Sequence, residues 1–196
     1  MTTEDVVLKA VAATRVAELT ATAASYSPGD IGPTTASLYP ELFRRLGVAG
    51  IRPAGGPAIV YYEDPAEPSD AVTVHAAIPV TAGPQRGYDF AIVDLPAIRP
   101  AATILHRGTM AEVTRSLWIL AGWIEDNGYR PVGYHREVYL EHGPDAADTG
   151  EACGNTGEAG RGVTVAEIQV SVARDAAAWR RPGVGPRGMQ GFVLTT

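Results

Sequence analysis

Gly50 to Glu63 (GIRPAGGPAIVYYE) and Gly128 to Glu141 (GYRPVGYHREVYLE) are near copies, matching at seven of fourteen positions when one is slid by 78. Such a repeat commits both halves of the chain to one local structure, and a small unit that cannot bury its own apolar face stacks on its copy. The repeat is broken at one informative place. Ile59 in the first copy stands against Glu137 in the second, and Tyr61 and Tyr139 follow two residues later. A carboxylate in place of a core-type residue, on one side of a pseudo-symmetric structure, marks where function is to be sought.

Apolar periodicity fills in the repeating unit. A β-rich run from Val6 to about Ala23 predicts a long, bulged first strand. SYSPGDIGPT, with Pro28, Gly29, Gly32 and Pro33, ends it, and Leu38, Leu42 and Leu46 predict a helix that Gly47 stops. Gly55 to Glu63 reads as a strand, DPAEPSD as a turn, and Ala71 to Thr81 as a strand with Val72, Val74, Ala76, Ile78 and Val80 on one face. The second half repeats the order. Asp89 to His106 is strand-like with a break at Leu95-Pro96, and a helix follows over about Thr109 to Asn127. That helix carries a core stripe of Val113, Leu117, Leu120 and Ile124, and strands then run over Gly133 to His142 and Val163 to Val172. Ala13-x-Arg15-x-Ala17 also recurs as Ala97-x-Arg99-x-Ala101, offset by 84; a longer loop before the first helix absorbs the difference.

The expected fold class is α+β, with two pseudo-symmetric β-α-β-β (strand-helix-strand-strand) repeats and a ligand cleft between them. Residues 1–173 form one domain, with repeat one at about 5–82 and repeat two at about 88–173. The polar, Gly-rich segment before the last strand reads as a mobile hairpin loop. Residues 174–196 read as a flexible Arg/Gly/Pro-rich tail whose Trp179 and Phe192 could dock on the body or on a neighbouring subunit, making a tail-mediated homodimer the candidate oligomer.

Composition narrows the function. A length of 196 residues with 45% hydrophobic content suits one substantial core or two that share an interface. The net charge of −6 opposes direct binding to DNA or to an anionic membrane surface, and leaves a cationic small molecule as a suitable partner. The single cysteine, Cys153, excludes an intrachain disulfide and points to a reducing compartment. No apolar run reaches membrane-spanning length and MTTEDVV has no leader character, so a cytoplasmic location is expected. Without a Gly-x-Ser-x-Gly elbow, a Walker loop or a dinucleotide fingerprint, nucleotide chemistry and serine hydrolysis lack support, and no cofactor is expected.

Strand alternation puts His135, Glu137, Tyr139 and Glu141 on one face, and Ile59, Tyr61 and Glu63 on the equivalent face of the first copy. If the pseudo-twofold sets these faces across a cleft, Glu137, Tyr139 and Tyr61 line one cavity beside Ile59 and His135. Trp118, one residue off the Leu117 stripe, could reach it. An aromatic wall with one carboxylate suits a lipophilic cation through stacking, cation-π attraction and a charge pair. The competing reading of Glu137 is a strand carboxylate paired with Arg136 or a surface arginine. His135-x-Glu137 could offer two metal ligands, but no third accompanies them, and no metal site is expected. His106 reads as a strand-end cap, Glu63 and Glu141 as solvated, and His75 has no assigned function.

The motifs Leu95-Pro96-Ala97, His106-Arg107-Gly108, Trp123 to Tyr129 and Arg136 to Leu140, with Asp64-Pro65 and Ile78-Pro79-Val80 in the first half, resemble the GyrI-like small-molecule-binding domain. The resemblance extends to about Val172. It implies a duplicated strand-helix-strand-strand fold of the kind found as effector domains in AraC-type and MerR-type multidrug-responsive regulators. In that family an acidic residue matching Glu137 meets cationic aromatic drugs among aromatic side chains. Because the chain begins at its first strand, it is similar to the stand-alone members, which include drug-sequestering proteins, gyrase inhibitors and hydrolases of cyclopropane-bearing genotoxins. The resemblance thus implies multidrug binding and drug resistance. As an alternative it implies hydrolysis with Glu137 acting on water, assisted by Tyr139, and as a third reading contact with gyrase or a separate regulator. Leu117-Trp118 replaces an Ala-Tyr pair frequent in the family.

Overall fold

The computed structural model describes residues 6–63, 70–141 and 164–175. The DPAEPSD turn, the Gly-rich segment with Cys153, and the tail with Trp179 and Phe192 lie wholly or largely outside the described residues. Among the described residues, eight strands, β1 (Val7–Val11), β2 (Thr14–Ala23), β3 (Ala58–Glu63), β4 (Val72–Pro79), β5 (Ala91–Leu95), β6 (Ile98–Gly108), β7 (Tyr129–Glu141) and β8 (Thr164–Arg174), form one sheet. Two helices, α1 (Pro28–Val48) and α2 (Val113–Asp126), complete the α+β fold, a curled antiparallel half-barrel. No helix among the described residues is long and apolar enough to cross a membrane.

The strand order is β1-β6-β8-β7-β3-β4-β2-β5, which reads the same from either end once the repeats are exchanged. β7 and β3 occupy the centre, with β8 and β4, then β6 and β2, then β1 and β5 outward. The pseudo-twofold therefore passes between β3 and β7, which pair antiparallel. Each repeat also lends a short strand to the far edge of the other: β1 pairs with β6, and β5 with β2. This explains two sequence features at once. The long first strand breaks near Ala12-Ala13 into β1 and β2, and the Leu95-Pro96 interruption separates β5 from β6 at the corresponding place.

The first helix begins earlier than its apolar spacing suggests. Ser27 is its N-cap, its hydroxyl accepting from the Asp30 N–H at 3.3 Å, and Pro28 follows where a missing N–H costs nothing. SYSPGDIGPT is thus mostly the first turns of α1, and Gly47 lies inside the helix rather than beyond it. Leu38, Tyr39, Leu42 and Leu46 pack on Val60, Tyr62, Val72, Val74 and Ala76. In the second repeat, Glu112 accepts from the Thr109 N–H at 3.0 Å and its hydroxyl at 2.9 Å at the helix entrance. Val113, Leu120 and Ile124 then pack on Ile104, Ile168 and Val170, with Leu117 at the margin.

Both helices cover the same face of the sheet. The register places Glu137 opposite Val60 on one side and Ile168 on the other, and those two residues pack under α1 and α2 respectively. The central strands thus carry side chains into the seam between the helical layers. The opposite face has its own core of Val16, Ile59, Tyr61, Ala77, Leu95 and Val138.

Candidate functional site

Glu137 stands at the middle of the sheet, on the helix-covered face, and is 4% exposed. Its Oε1 accepts the Tyr62 hydroxyl at 3.0 Å and its Oε2 the Tyr139 hydroxyl at 3.0 Å. His135 lies on the same face, its Nε2 3.9 Å from Oε1, too long for a hydrogen bond. The His135 ring packs against Tyr62 at 4.6 Å between centroids, and Tyr26 meets Tyr62 at 5.9 Å. Tyr39 of α1, its hydroxyl donated to the Ile59 carbonyl at 2.9 Å, closes the group. The buried carboxylate thus belongs to a cluster of four tyrosines and a histidine, with Tyr62 and Tyr139 bonded to it directly.

The electrostatics follow from the enclosure. Burial disfavours the charged form and raises the Glu137 pKa, and the hydrogen bonds from Tyr139 and Tyr62 oppose that shift without cancelling it. The same burial, with the negative carboxylate alongside, pushes both phenols well above their ordinary value, so they remain donors. Charge-assisted bonds of this kind contribute roughly 1.5–3 kcal/mol each. An ionised carboxylate also keeps lone pairs beyond the two that the tyrosines use. Chemically the cluster is an acceptor of positive charge or of a proton, inside aromatic walls.

The structure brings together three of the sequence-derived candidates, Glu137, Tyr139 and His135. It separates three others. Tyr61 and Ile59 lie on the opposite face, because Tyr61 pairs with Arg136 and Ile59 with Val138 across the central strands. Trp118 points outward from α2 and is 61% exposed, so it does not wall the cleft. The alignment by 78 is one residue out of phase with the sheet. The two copies leave the shared Gly-x-Arg-Pro-x-Gly by different routes: a loop through Gly55 and Gly56, both at positive φ, precedes β3, whereas β7 runs through an irregularity between Pro131 and His135 at Gly133. The counterparts of Glu137 and Tyr139 in face and pairing are consequently Val60 and Tyr62. Tyr62, Tyr39 and Tyr26 were missed by sequence reasoning, and the unequal glycine content of the two copies was the available signal.

Arg136 turns to the other face and donates to the Pro96 carbonyl at 2.7 Å, so it is not the partner of Glu137. His106 is buried between the Ser116 hydroxyl at 3.0 Å and the Thr109 carbonyl at 3.1 Å, holding the entrance of α2 as a local cap. A groove of about 650 Å³ lies elsewhere, lined by Leu38, Glu41 and Arg45 of α1, Leu19 of β2, and Tyr88 and Phe90. We place the candidate site at Glu137 because it joins a desolvated carboxylate to aromatic walls, whereas the charges of the groove neutralise one another: Arg45 meets Glu41 at 2.7 Å and Asp89 at 3.5 Å.

No family model and no curated protein matches the sequence. Solved structures do match the fold. The C-terminal domain of EcmrR is similar, with a TM-score of 0.65 and 19% identity over 87% of this chain and 98% of that domain. The chain spans 57% of the EcmrR chain seen in a complex with DNA. SAV2435, solved bound to tetraphenylphosphonium, matches with a TM-score of 0.56 and 10% identity over 86% of this chain and 94% of its own. A hydrolase from Listeria innocua matches with a TM-score of 0.53 and 12% identity over 87% and 92%. The duplicated architecture, the central pairing of the two repeats and these likenesses together give the chain the fold of the GyrI-like domains.

Proposed function

We propose that the protein binds lipophilic, aromatic, cationic small molecules in the seam between α1 and α2, with Glu137 as counter-ion. The observation that carries this reading is the buried carboxylate at the pseudo-twofold, hydrogen-bonded by Tyr62 and Tyr139 and flanked by Tyr26, Tyr39 and His135. A desolvated carboxylate is costly by itself. A bound cation recovers that cost, and flat rings stack on tyrosine faces at little further expense. The resemblance to GyrI-like domains and the tetraphenylphosphonium-bound state of SAV2435 support the same ligand class.

Because Glu137 is enclosed, the ligand enters as the covering tyrosines swing aside, and its charge takes the place of part of their hydrogen bonding. The test is equilibrium dialysis with tetraphenylphosphonium and with neutral triphenylphosphine oxide. Saturable one-to-one uptake of the cation, with much weaker uptake of the neutral compound, supports the reading. Equal uptake of both removes the counter-ion role.

The second reading is hydrolysis of a strained electrophile, with Glu137 activating water and Tyr139 donating to the leaving atom. It draws on the raised Glu137 pKa and on the fold shared with a hydrolase. Incubation of a cyclopropane-bearing alkylator with substoichiometric protein separates the two. A binder stops at one equivalent, and an enzyme continues.

A further inference from the structure

The face of the sheet opposite Glu137 carries a second buried polar cluster that the proposed function does not use. Glu18 on β2 and His75 on β4 are 6% and 7% exposed. The Tyr61 hydroxyl donates to one Glu18 oxygen, and His75 Nδ1 lies 3.4 Å from the other. The imidazole stacks on the Tyr61 ring at 4.2 Å between centroids with 18° between planes, so its orientation is fixed from two directions. Its second nitrogen, Nε2, is buried and has no hydrogen-bond partner. It faces Glu63 at the end of β3, 3.5 Å from Oε2, and the Glu63 side chain is 60% exposed.

In the tautomer that directs the Nδ1 proton to Glu18, Nε2 presents a lone pair toward the Glu63 carboxylate. Two electron-rich atoms held that close call for a positive centre between them. In a tetrahedral zinc site, imidazole nitrogen and carboxylate oxygen each sit about 2.1 Å from the metal, which sets the two donors about 3.4 Å apart. The observed separation has that value, while the geometry does not make a hydrogen bond. A histidine whose far nitrogen is held by a carboxylate is also the usual arrangement behind a metal ligand, fixing tautomer and ring direction.

We propose that His75 Nε2 and Glu63 bind a divalent transition-metal ion of the zinc class, with Glu18 as the positioning carboxylate. Among the described residues no group of three or more metal-ligating side chains surrounds one point. Water completes the shell, and binding is weaker than at a closed four-ligand structural site. Glu63, at the end of β3, forms the exposed side of the site and His75 the buried side.

The experiment uses the full chain without added histidines, titrated with Co²⁺ followed by visible absorption and with Zn²⁺ followed by calorimetry. One saturable equivalent is expected, with perturbation of the His75 ring signals in NMR. Glu63→Gln and His75→Gln are each expected to abolish it, and Glu18→Gln to weaken it by about 10- to 100-fold. Glu63 is exposed, so its variant decides the question even if the buried His75 variant fails to fold. Absence of saturable binding overturns the proposal. So does binding that survives Glu63→Gln, or that disappears in Cys153→Ser.

Discussion

Replacing Glu137 by Gln is expected to make the folded protein more stable near neutral pH. In the unfolded chain the carboxyl ionises near its ordinary value of 4.5, whereas in the folded chain burial holds its proton to higher pH. Between those two values the folded state binds more protons than the unfolded state, so stability falls as pH rises and stays lower above the folded value. Burial of the ionised group costs more than the two tyrosine bonds at 3.0 Å return, as the raised pKa requires, and the net penalty is taken as on the order of 1 kcal/mol. Glutamine keeps the volume, accepts one tyrosine hydroxyl on its carbonyl and donates its amide to the other. The gain translates to a Tm higher by about 2–4 °C near pH 7. Thermal unfolding followed by circular dichroism from about pH 4 to about pH 8 reads it, and the advantage should shrink towards zero at the acid end. A wild type more stable than the variant near neutrality, or a difference independent of pH, would refute the burial argument.

Three further outcomes follow from which face each side chain occupies. Tyr62→Phe removes a donor to Glu137 and should change cation affinity, whereas Tyr61→Phe, on the other face, should leave it within about twofold; dye titration of both variants checks the strand register. Leu120→Ala opens space in the core beneath α2 and should cost about 2–5 kcal/mol in chemical denaturation, near the upper end if the neighbours do not collapse into the gap. Trp118→Ala, at an exposed position, should alter stability by no more than about 0.5 kcal/mol and leave ligand binding unchanged, and the same two assays measure it.

The sequence carried the fold further than it carried the site. The repeat, the helix stripes and the break at Leu95-Pro96 reflect periodicities that backbone geometry enforces, and each has its counterpart in the sheet order. What could not be read was the exchange of β1 and β5 between repeats, because an edge strand has the same alternation whichever neighbour it pairs with. Face assignment failed in β3 for a related reason. Side chains alternate with a period of two, so one extra residue in a glycine-containing irregularity sends every later side chain to the other face. Tyr61 and Tyr62 are adjacent and chemically equal, and only register decides which meets Glu137. Glu137 stands out in the sequence because a carboxylate in an apolar alternating strand is costly unless something offsets the cost. Trp118 was misread because an exposed large side chain one step off a stripe looks, in sequence, like one at the margin of a cleft.

Isothermal titration of tetraphenylphosphonium into the wild type and the Glu137→Gln variant tests the central claim most directly. A unit charge about 5 Å from the carboxylate, at an effective dielectric constant near 20, is attracted by roughly 3 kcal/mol. The variant should therefore bind the cation about 100-fold more weakly, while triphenylphosphine oxide binds both proteins alike. Equal affinity of the two proteins for the cation would contradict the assignment of Glu137 as the counter-ion.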